Sequence, residues 1–394
     1  MNLKYFIFTV SVILLYCSCG KNNKIQSPVA SYDYSLVKSD KKLTYNIDGN
    51  VEYDCRALFP FQSKKDGSKY LTFQNRSQSE ILFYKMDSMD CFFRLKIERE
   101  GPDGVPGFLG YHIKDFDEIY LTSYGIPIIV RTDTTGRVLQ KINYGETDEG
   151  KMLLPFTSTT TPYTPLTIIG NKFFFTQDPD PREEIETWPV SGYVDTLAHS
   201  VQALPLTFPP IIKKEEIYTD GIGPEFSFSR CFNGSEFVYS FLFEENIVVT
   251  SQDHQQIKRI PAKSKYISKI NDAHEKRPAD MVLGAKRMCE APFYGYLFHD
   301  SYRKVYYRIA YPETEMEANE NYIELWTSGR KRFSIVILDE HFNIIGETLF
   351  PDYTYKSKML FVGEEGLYIC DSHVKNPEFN EDILSFQCFE LSKK

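Results

Sequence analysis

This 394-residue chain is poor in tryptophan and histidine, with two and seven respectively. It has no H-E-x-x-H and no close histidine pair, so the usual scaffold of a zinc site is missing and no metal or cofactor is expected. A phosphate loop, a G-x-G-x-x-G turn and a G-x-S-x-G elbow are also absent, which argues against the common nucleotide enzymes and the α/β-hydrolases. Basic charge is short as well. Forty-five Lys and Arg face fifty-four Asp and Glu, a formal charge of −9, and without a basic stripe nucleic-acid binding is not expected. Nowhere do roughly 20 apolar residues follow one another, so a spanning helix is not expected either. No long stretch carries a clean helical period.

The N-terminus carries one positive charge at Lys4, an apolar run from Tyr5 to Tyr16, and then Cys17-Ser18-Cys19-Gly20. That order describes a signal peptide. Ser18 supplies the small residue that lipoprotein processing requires before an acylated cysteine, whereas Cys17 follows bulky Tyr16. Residues 1–18 therefore read as a lipoprotein signal peptide and Cys19 as the lipidation site, with palmitate among its acyl chains. More than one chain makes such an anchor stable. Residues 19–40 are polar and read as a flexible tether. Processing removes only Lys4 among the charged residues, leaving a formal charge near −10.

Aromatic residues, by contrast, are abundant: 27 Tyr and 30 Phe, 15% of the chain with the two Trp. Such residues suit pleated, half-buried surfaces. Short runs rich in Val, Ile, Tyr, Phe and Thr recur between Gly, Asn, Asp and Pro clusters, among them 118–123, 128–132, 138–143, 172–176 and 344–349. Loops as short as Asp133–Gly136 can join only antiparallel neighbours, so the runs form meanders. Taking Tyr70, Tyr120, Phe173, Phe237, Tyr296 and Tyr368 as equivalent gives six units about 60 residues apart. The expected fold is all-β: a six-bladed propeller of four-stranded meanders over residues 41–394. Gly101-Pro102 and Gly223-Pro224 mark crossings between blades. The isolated strand-like segment Lys42 to Ile47 is the candidate to complete the last blade and hide its edge.

The lipoprotein start, Glu100-Gly-Pro-Asp-Gly-Val-Pro-Gly and the Asp-x-x-Gly turn at Asp133–Gly136 resemble a family of Gram-negative six-bladed β-propeller lipoproteins carrying a domain of unknown function. The resemblance covers the mature chain from about Lys41. It implies architecture and cell-envelope placement, and it brings no catalytic residues. Gly20-Lys-Asn-Asn-Lys lacks both the aspartate of inner-membrane retention and the acids of surface export, so the expected location is the outer membrane, facing the periplasm.

Six cysteines follow Cys19: Cys55, Cys91, Cys231, Cys289, Cys370 and Cys388. Scattered and without C-x-x-C, they read as buried thiols, and if one pair is bridged it is Cys370 with Cys388. Asn233-Gly-Ser235 reads as a hairpin turn. The acidic loop Asp178-Pro-Asp180-Pro-Arg-Glu183-Glu184 offers hard oxygens, yet lacks the glycine and spacing of a calcium loop. Trp188 and Trp326, with Tyr163, Tyr193 and Tyr353, lie in loop-like regions where an aromatic face would grip a glycan or an envelope protein; packing beneath the loops is the competing reading. Asp87-Ser-Met89, Asp133-Thr-Thr135 and Asp195-Thr-Leu197 resemble bacterial O-glycosylation acceptors and equally suit turns. The leading expectation is a membrane-anchored binding or scaffold module. The alternative is an envelope hydrolase or lyase acting on glycan or peptide at a channel mouth.

Overall fold

The computed structural model describes residues 30–52, 55, 57–123, 126–150, 160–177, 187–209, 228–270 and 280–394. The signal peptide, Cys19, His274, the acidic loop 178–184 and Gly223-Pro224 lie outside these residues. The described chain is 49% strand and 6% helix, all-β as expected.

Four sheets are four-stranded antiparallel meanders in chain order. The first is β2 (Leu58–Gln62), β3 (Lys69–Asn75), β4 (Glu80–Lys85) and β5 (Cys91–Lys96); the second is β6 (Phe108–Asp115), β7 (Glu118–Ser123), β8 (Ile128–Thr132) and β9 (Val138–Asn143). The third is β10 (Thr167–Ile169), β11 (Lys172–Thr176), β12 (Ser191–Asp195) and β13 (Ser200–Ala203); the fourth is β14 (Phe228–Phe232), β15 (Phe237–Phe241), β16 (Asn246–Thr250) and β17 (Ile257–Pro261). The fifth sheet has eight strands. A meander of β18 (Phe293–Asp300), β19 (Val305–Tyr311), β20 (Ser334–Leu338) and β21 (Ile344–Leu349) continues into β1 (Tyr34–Asn46), β24 (Ile383–Lys393), β23 (Leu367–Cys370) and β22 (Lys356–Val362). The N-terminal strand pairs antiparallel with β24 from Tyr34↔Lys393 to Asn46↔Ile383, and meets β21 in parallel at Tyr34↔Gly346. It begins at Tyr34, inside the segment read from sequence as tether, so residues 34–40 are strand.

The sheets pack in a circle, because consecutive side chains on the middle strands face opposite neighbours. Tyr70, Ile81 and Phe83 join a core shared with the second meander, while Leu71, Leu82 and Tyr84 join one shared with β22–β24. Burial on both faces is why these strands read as continuous apolar runs. Two halves of the eight-stranded sheet, Ile335 and Ile337 of β20 and Leu367 and Ile369 of β23, share a single core cluster, so this sheet folds back on itself.

The sequence repeat is out of register at one place. Tyr70, Tyr120, Phe173, Phe237 and Tyr368 occupy the second strands of their units, but Tyr296 lies on β18, a first strand. The proposed disulfide is absent: all six cysteines are free. Tyr368 pairs with Cys388 and Cys370 with Phe386, which leaves Cys370 diagonal to Cys388. Diagonal neighbours stand about 7–8 Å apart, beyond disulfide reach.

Buried arginines tie neighbouring units together. Arg308 of β19 donates to the carbonyls of Glu244, Glu245 and Ala262 and to Ser240 Oγ, with its guanidinium 3.6 Å from the Tyr294 ring centre. Arg230 of β14 donates to the carbonyls of Pro165, Phe174 and Phe175. Burial lowers both affinities for the proton, that of Arg308 to about 10. Carbonyl dipoles replace the water that each cation gives up.

Candidate functional site

Antiparallel order sorts the connections by end. In each meander the first and third hairpins lie at one end, and the middle hairpin and the exit to the next unit lie at the other. The first set consists of short turns such as 63–68, 133–137, 233–236 and 301–304, whereas the second contains 144–166, 204–227, 262–292 and 312–333. Both helices among the described residues belong to the long-connection end. Helix α1 (Met281–Glu290) is capped by Asp280, whose carboxylate accepts from the amides of Val282 and Leu283; α2 (Tyr322–Ser328) is capped by Asn321. Arg330 closes the C-terminus of α1 by donating to the carbonyls of Cys289 and Ala291.

At this end the axis is crossed by residues 160–165. Thr160 bridges in parallel to Gly110 of β6, an innermost strand. The Tyr163 carbonyl accepts from the Arg230 amide at 2.6 Å and Ser229 Oγ at 3.1 Å; its hydroxyl donates to the Lys358 carbonyl on β22 at 2.7 Å, and its ring stacks on Tyr296 of β18. One tyrosine thus touches the innermost strands of three units. Gly110 makes the crossing possible: at φ +83°, a Cβ there would lie 2.1 Å from the Thr160 carbonyl oxygen.

At the same end stands a ledge built on Tyr353. Its hydroxyl donates to both oxygens of Glu320, at 2.8 and 3.1 Å, and Lys375 Nζ lies 2.7 Å from the same carboxylate. The Glu320 side chain is only 4% exposed, while Lys375 remains 37% exposed. Lys331 and Lys375 place their ammonium groups 5.6 and 4.7 Å from the Tyr353 ring centre. Burial and the Glu320 charge drive the Tyr353 phenol well above its usual range. Tyr353 has φ +54°, a sparsely populated conformation for a bulky residue. Five of the other six non-glycine residues with positive φ sit in hairpin turns. The sixth, Asn319, adjoins Glu320, so the two left-handed non-glycine residues outside hairpins among the described residues flank one contact.

Trp326 and Trp188, the sequence candidates for exposed aromatic faces, are 7% and 3% exposed. Trp326 packs edge-on to Phe293 with Lys358 Nζ 4.3 Å from its ring centre, and Trp188 lies in the core between the third and fourth meanders. Both fill space beneath long connections, as large aromatics generally do. Tyr193 is likewise buried on β12. Among the five aromatics named from sequence, Tyr163 and Tyr353 carry the geometry of the site. Glu320, Lys331 and Lys375 had no sequence signal beyond their charge.

Three histidines are held neutral by burial. His373 is fully buried: Nε2 donates to the Gly329 carbonyl, Nδ1 accepts from the Lys375 amide, and burial lowers its pKa to about 4. His254 is buried too, between the Tyr239 hydroxyl and the Gln252 carbonyl, and also lowered to about 4 by desolvation. Desolvation holds His112 near 4 as well. No group of three His, Cys, Asp or Glu able to hold a metal occurs among the described residues. Asn233 forms a hairpin turn as expected, its Oδ1 accepting from the Ser235 and Glu236 amides. The three Asp-Ser/Thr tripeptides all fall at third hairpins, on the tight-turn end. No helix among the described residues is long and apolar enough to cross a membrane.

The architecture has solved counterparts. A structure from Bacteroides vulgatus superposes with a TM-score of 0.78 at 26% identity, covering 92% of this chain and all of the other; it is a member of the DUF4221 family. A Bacteroides fragilis protein named as exported gives a TM-score of 0.52 at 10% identity, over 92% of this chain and 96% of its own. No curated protein matches. The model of the family described as a domain of unknown function, DUF4221, matches residues 33–349, and the chain therefore belongs to that family.

Proposed function

We propose that this protein is a lipid-anchored cell-envelope module that binds a partner protein or glycan through the long-connection end of a six-bladed propeller. The observation that carries the binding role is the gathering of the long connections, the two helices among the described residues and the Tyr353 ledge at one end, away from the short turns. Propeller loops so arranged form a recognition surface on a rigid support. The ledge offers one aromatic face, two ammonium groups and a carboxylate already occupied, which suits gripping better than proton transfer. The six-blade count is supported by the folded-back fifth sheet, whose halves share a core and meet at one register. On that count β1 closes the ring, and deleting residues 34–46 lowers the thermal midpoint.

Lipidation at Cys19 and an outer-membrane position facing the periplasm follow from the N-terminal sequence, and the exported Bacteroides fragilis neighbour agrees with an extracytoplasmic location. Labelling cells with a palmitate analogue tests the anchor: label on the protein, lost in Cys19→Ala, is expected. Recovery of binding material from native envelopes tests the module. Tyr353→Ala combined with Lys375→Ala is expected to lose what the unaltered chain retains, while Tyr302→Ala, on the tight-turn end, keeps it. Equal recovery by all three chains would overturn the assignment to this face.

A further inference from the structure

A second surface lies away from both the axis and the ledge. On the outer rim between the fourth and fifth units, a pocket of about 520 Å³ opens between Pro261 and Ile267 on one side and Tyr32 and Ile344 on the other. Ala30 and Tyr32 form part of its wall, pinned where the Ser31 amide between them donates to the Ile344 carbonyl at 2.8 Å. The lining is apolar save for a short basic run, Lys263-Ser-Lys265-Tyr-Ile-Ser268-Lys269, set in a chain of formal charge −9.

The cations of this run are not equivalent. Lys263 is committed, with Glu245 at 2.8 Å and the Ser268 carbonyl at 2.9 Å. Lys265 has no carboxylate within ion-pair distance among the described residues. Its ammonium rests 4.7 Å from the Tyr32 ring centre and 5.0 Å from that of Tyr266, two faces that attract a cation without neutralising it. The backbone beneath is fixed: buried Glu347 accepts from the Lys265 amide at 2.8 Å, from Ser334 Oγ at 2.6 Å and from Ser264 Oγ. Three donors satisfy that carboxylate within the protein, so it holds the lysine-bearing loop in place. An unneutralised ammonium over an apolar hollow is complementary to a negative group carried on a hydrocarbon body.

We propose that this pocket binds an amphiphilic anion, its charged head on Lys265 with the Ser268 hydroxyl alongside, and its apolar body against Pro261, Ile267, Ile344 and Tyr32. Such a ligand is either an anionic membrane lipid or a soluble alkyl or acyl anion. Calorimetric titration of the full chain with octyl phosphate, below its micelle concentration, is the test. Saturable binding is expected, with octyl glucoside and inorganic phosphate each weaker, since one lacks the charge and the other the body. Lys265→Ala is expected to weaken octyl phosphate about tenfold, the scale of one charged hydrogen bond, and Lys265→Arg to retain it. Displacement by bicelles containing phosphatidylglycerol identifies a lipid, and displacement by soluble hexyl phosphate alone identifies a free anion. Absence of saturation, equal affinity for octyl glucoside, or unchanged binding in Lys265→Ala overturns the proposal. The pocket is separate from the Tyr353 ledge, so either site can fail alone.

Discussion

The two ends of the ring satisfy their backbones by different means. At the tight-turn end a side chain serves amides a few residues away: Asp133 accepts from Thr135, Asp195 from Leu197 and Ala198, Asp300 from Tyr302 and Arg303, and Asp339 from His341 and Asn343. At the long-connection end the partners are distant in sequence, as when Arg308 reaches Glu244 and Ala262 or Tyr163 reaches Lys358. Tight turns rest mostly on local bonds, Arg303 reaching the Gly363 and Glu364 carbonyls being an exception, while the long connections depend on one another. Damage at the second end should therefore spread, and damage at the first should stay local.

Arg308→Ala is the strongest way to break that contrast. It takes the Arg308 donors from the carbonyls of Glu244, Glu245 and Ala262, among which Glu245 keeps the Ala262 amide, and a loss of about 3–5 kcal/mol in unfolding free energy is expected from denaturant titration. Gly110→Val attacks the axial crossing. A left-handed φ and a Cβ overlapping Thr160 oblige the segment to shift, so about 3 kcal/mol and looser protection of residues 160–165 in hydrogen exchange are expected.

Acid probes both ends together, because each has a buried histidine, His254 in a turn and His373 in a connection. Their folded pKa values near 4 lie below the ordinary 6.5, so the unfolded chain binds more protons between those limits. Their neutral forms favour the fold fully above pH 6.5, and that contribution is lost as pH falls towards 4, at about 1 kcal/mol per unit for each histidine. Replacing either by Gln should flatten its share of a stability–pH curve. Smaller still, Tyr353→Phe removes the two contacts to Glu320 for about 1–2 kcal/mol. Leu197→Ser, 74% exposed in a tight turn, should change stability by less than about 0.5 kcal/mol.

The same contrast explains what could be read from sequence. The strands β7, β8, β9, β11 and β21 fall at the expected residues, since most of them alternate or are buried on both faces and are bounded by local turn signals. Among the innermost strands, β18 is legible at Tyr294 to His299, and β2, β6 and β22 escaped. Pro60 interrupts β2, Gly110 sits in β6, and Lys356 and Lys358 make β22 look polar. The helices did leave traces: Asp280 before an apolar run with Lys286 and Glu290 four apart, and Asn321 three residues before Glu324. Of the site, Tyr163 and Tyr353 were visible as loop aromatics. Their value rests on Lys358, Glu320 and Lys375, brought to them by the fold alone.

β1 has a mechanical consequence. Tyr34 lies beside Lys393, at the tight-turn end, and the strand runs from there towards the long connections. Residues 30–33 therefore lead into β1 from the end opposite the Tyr353 ledge. Any pull applied at Tyr34 is carried along the hydrogen-bond ladder between β1 and β24 in shear, many bonds resisting at once, before it reaches the rest of the molecule.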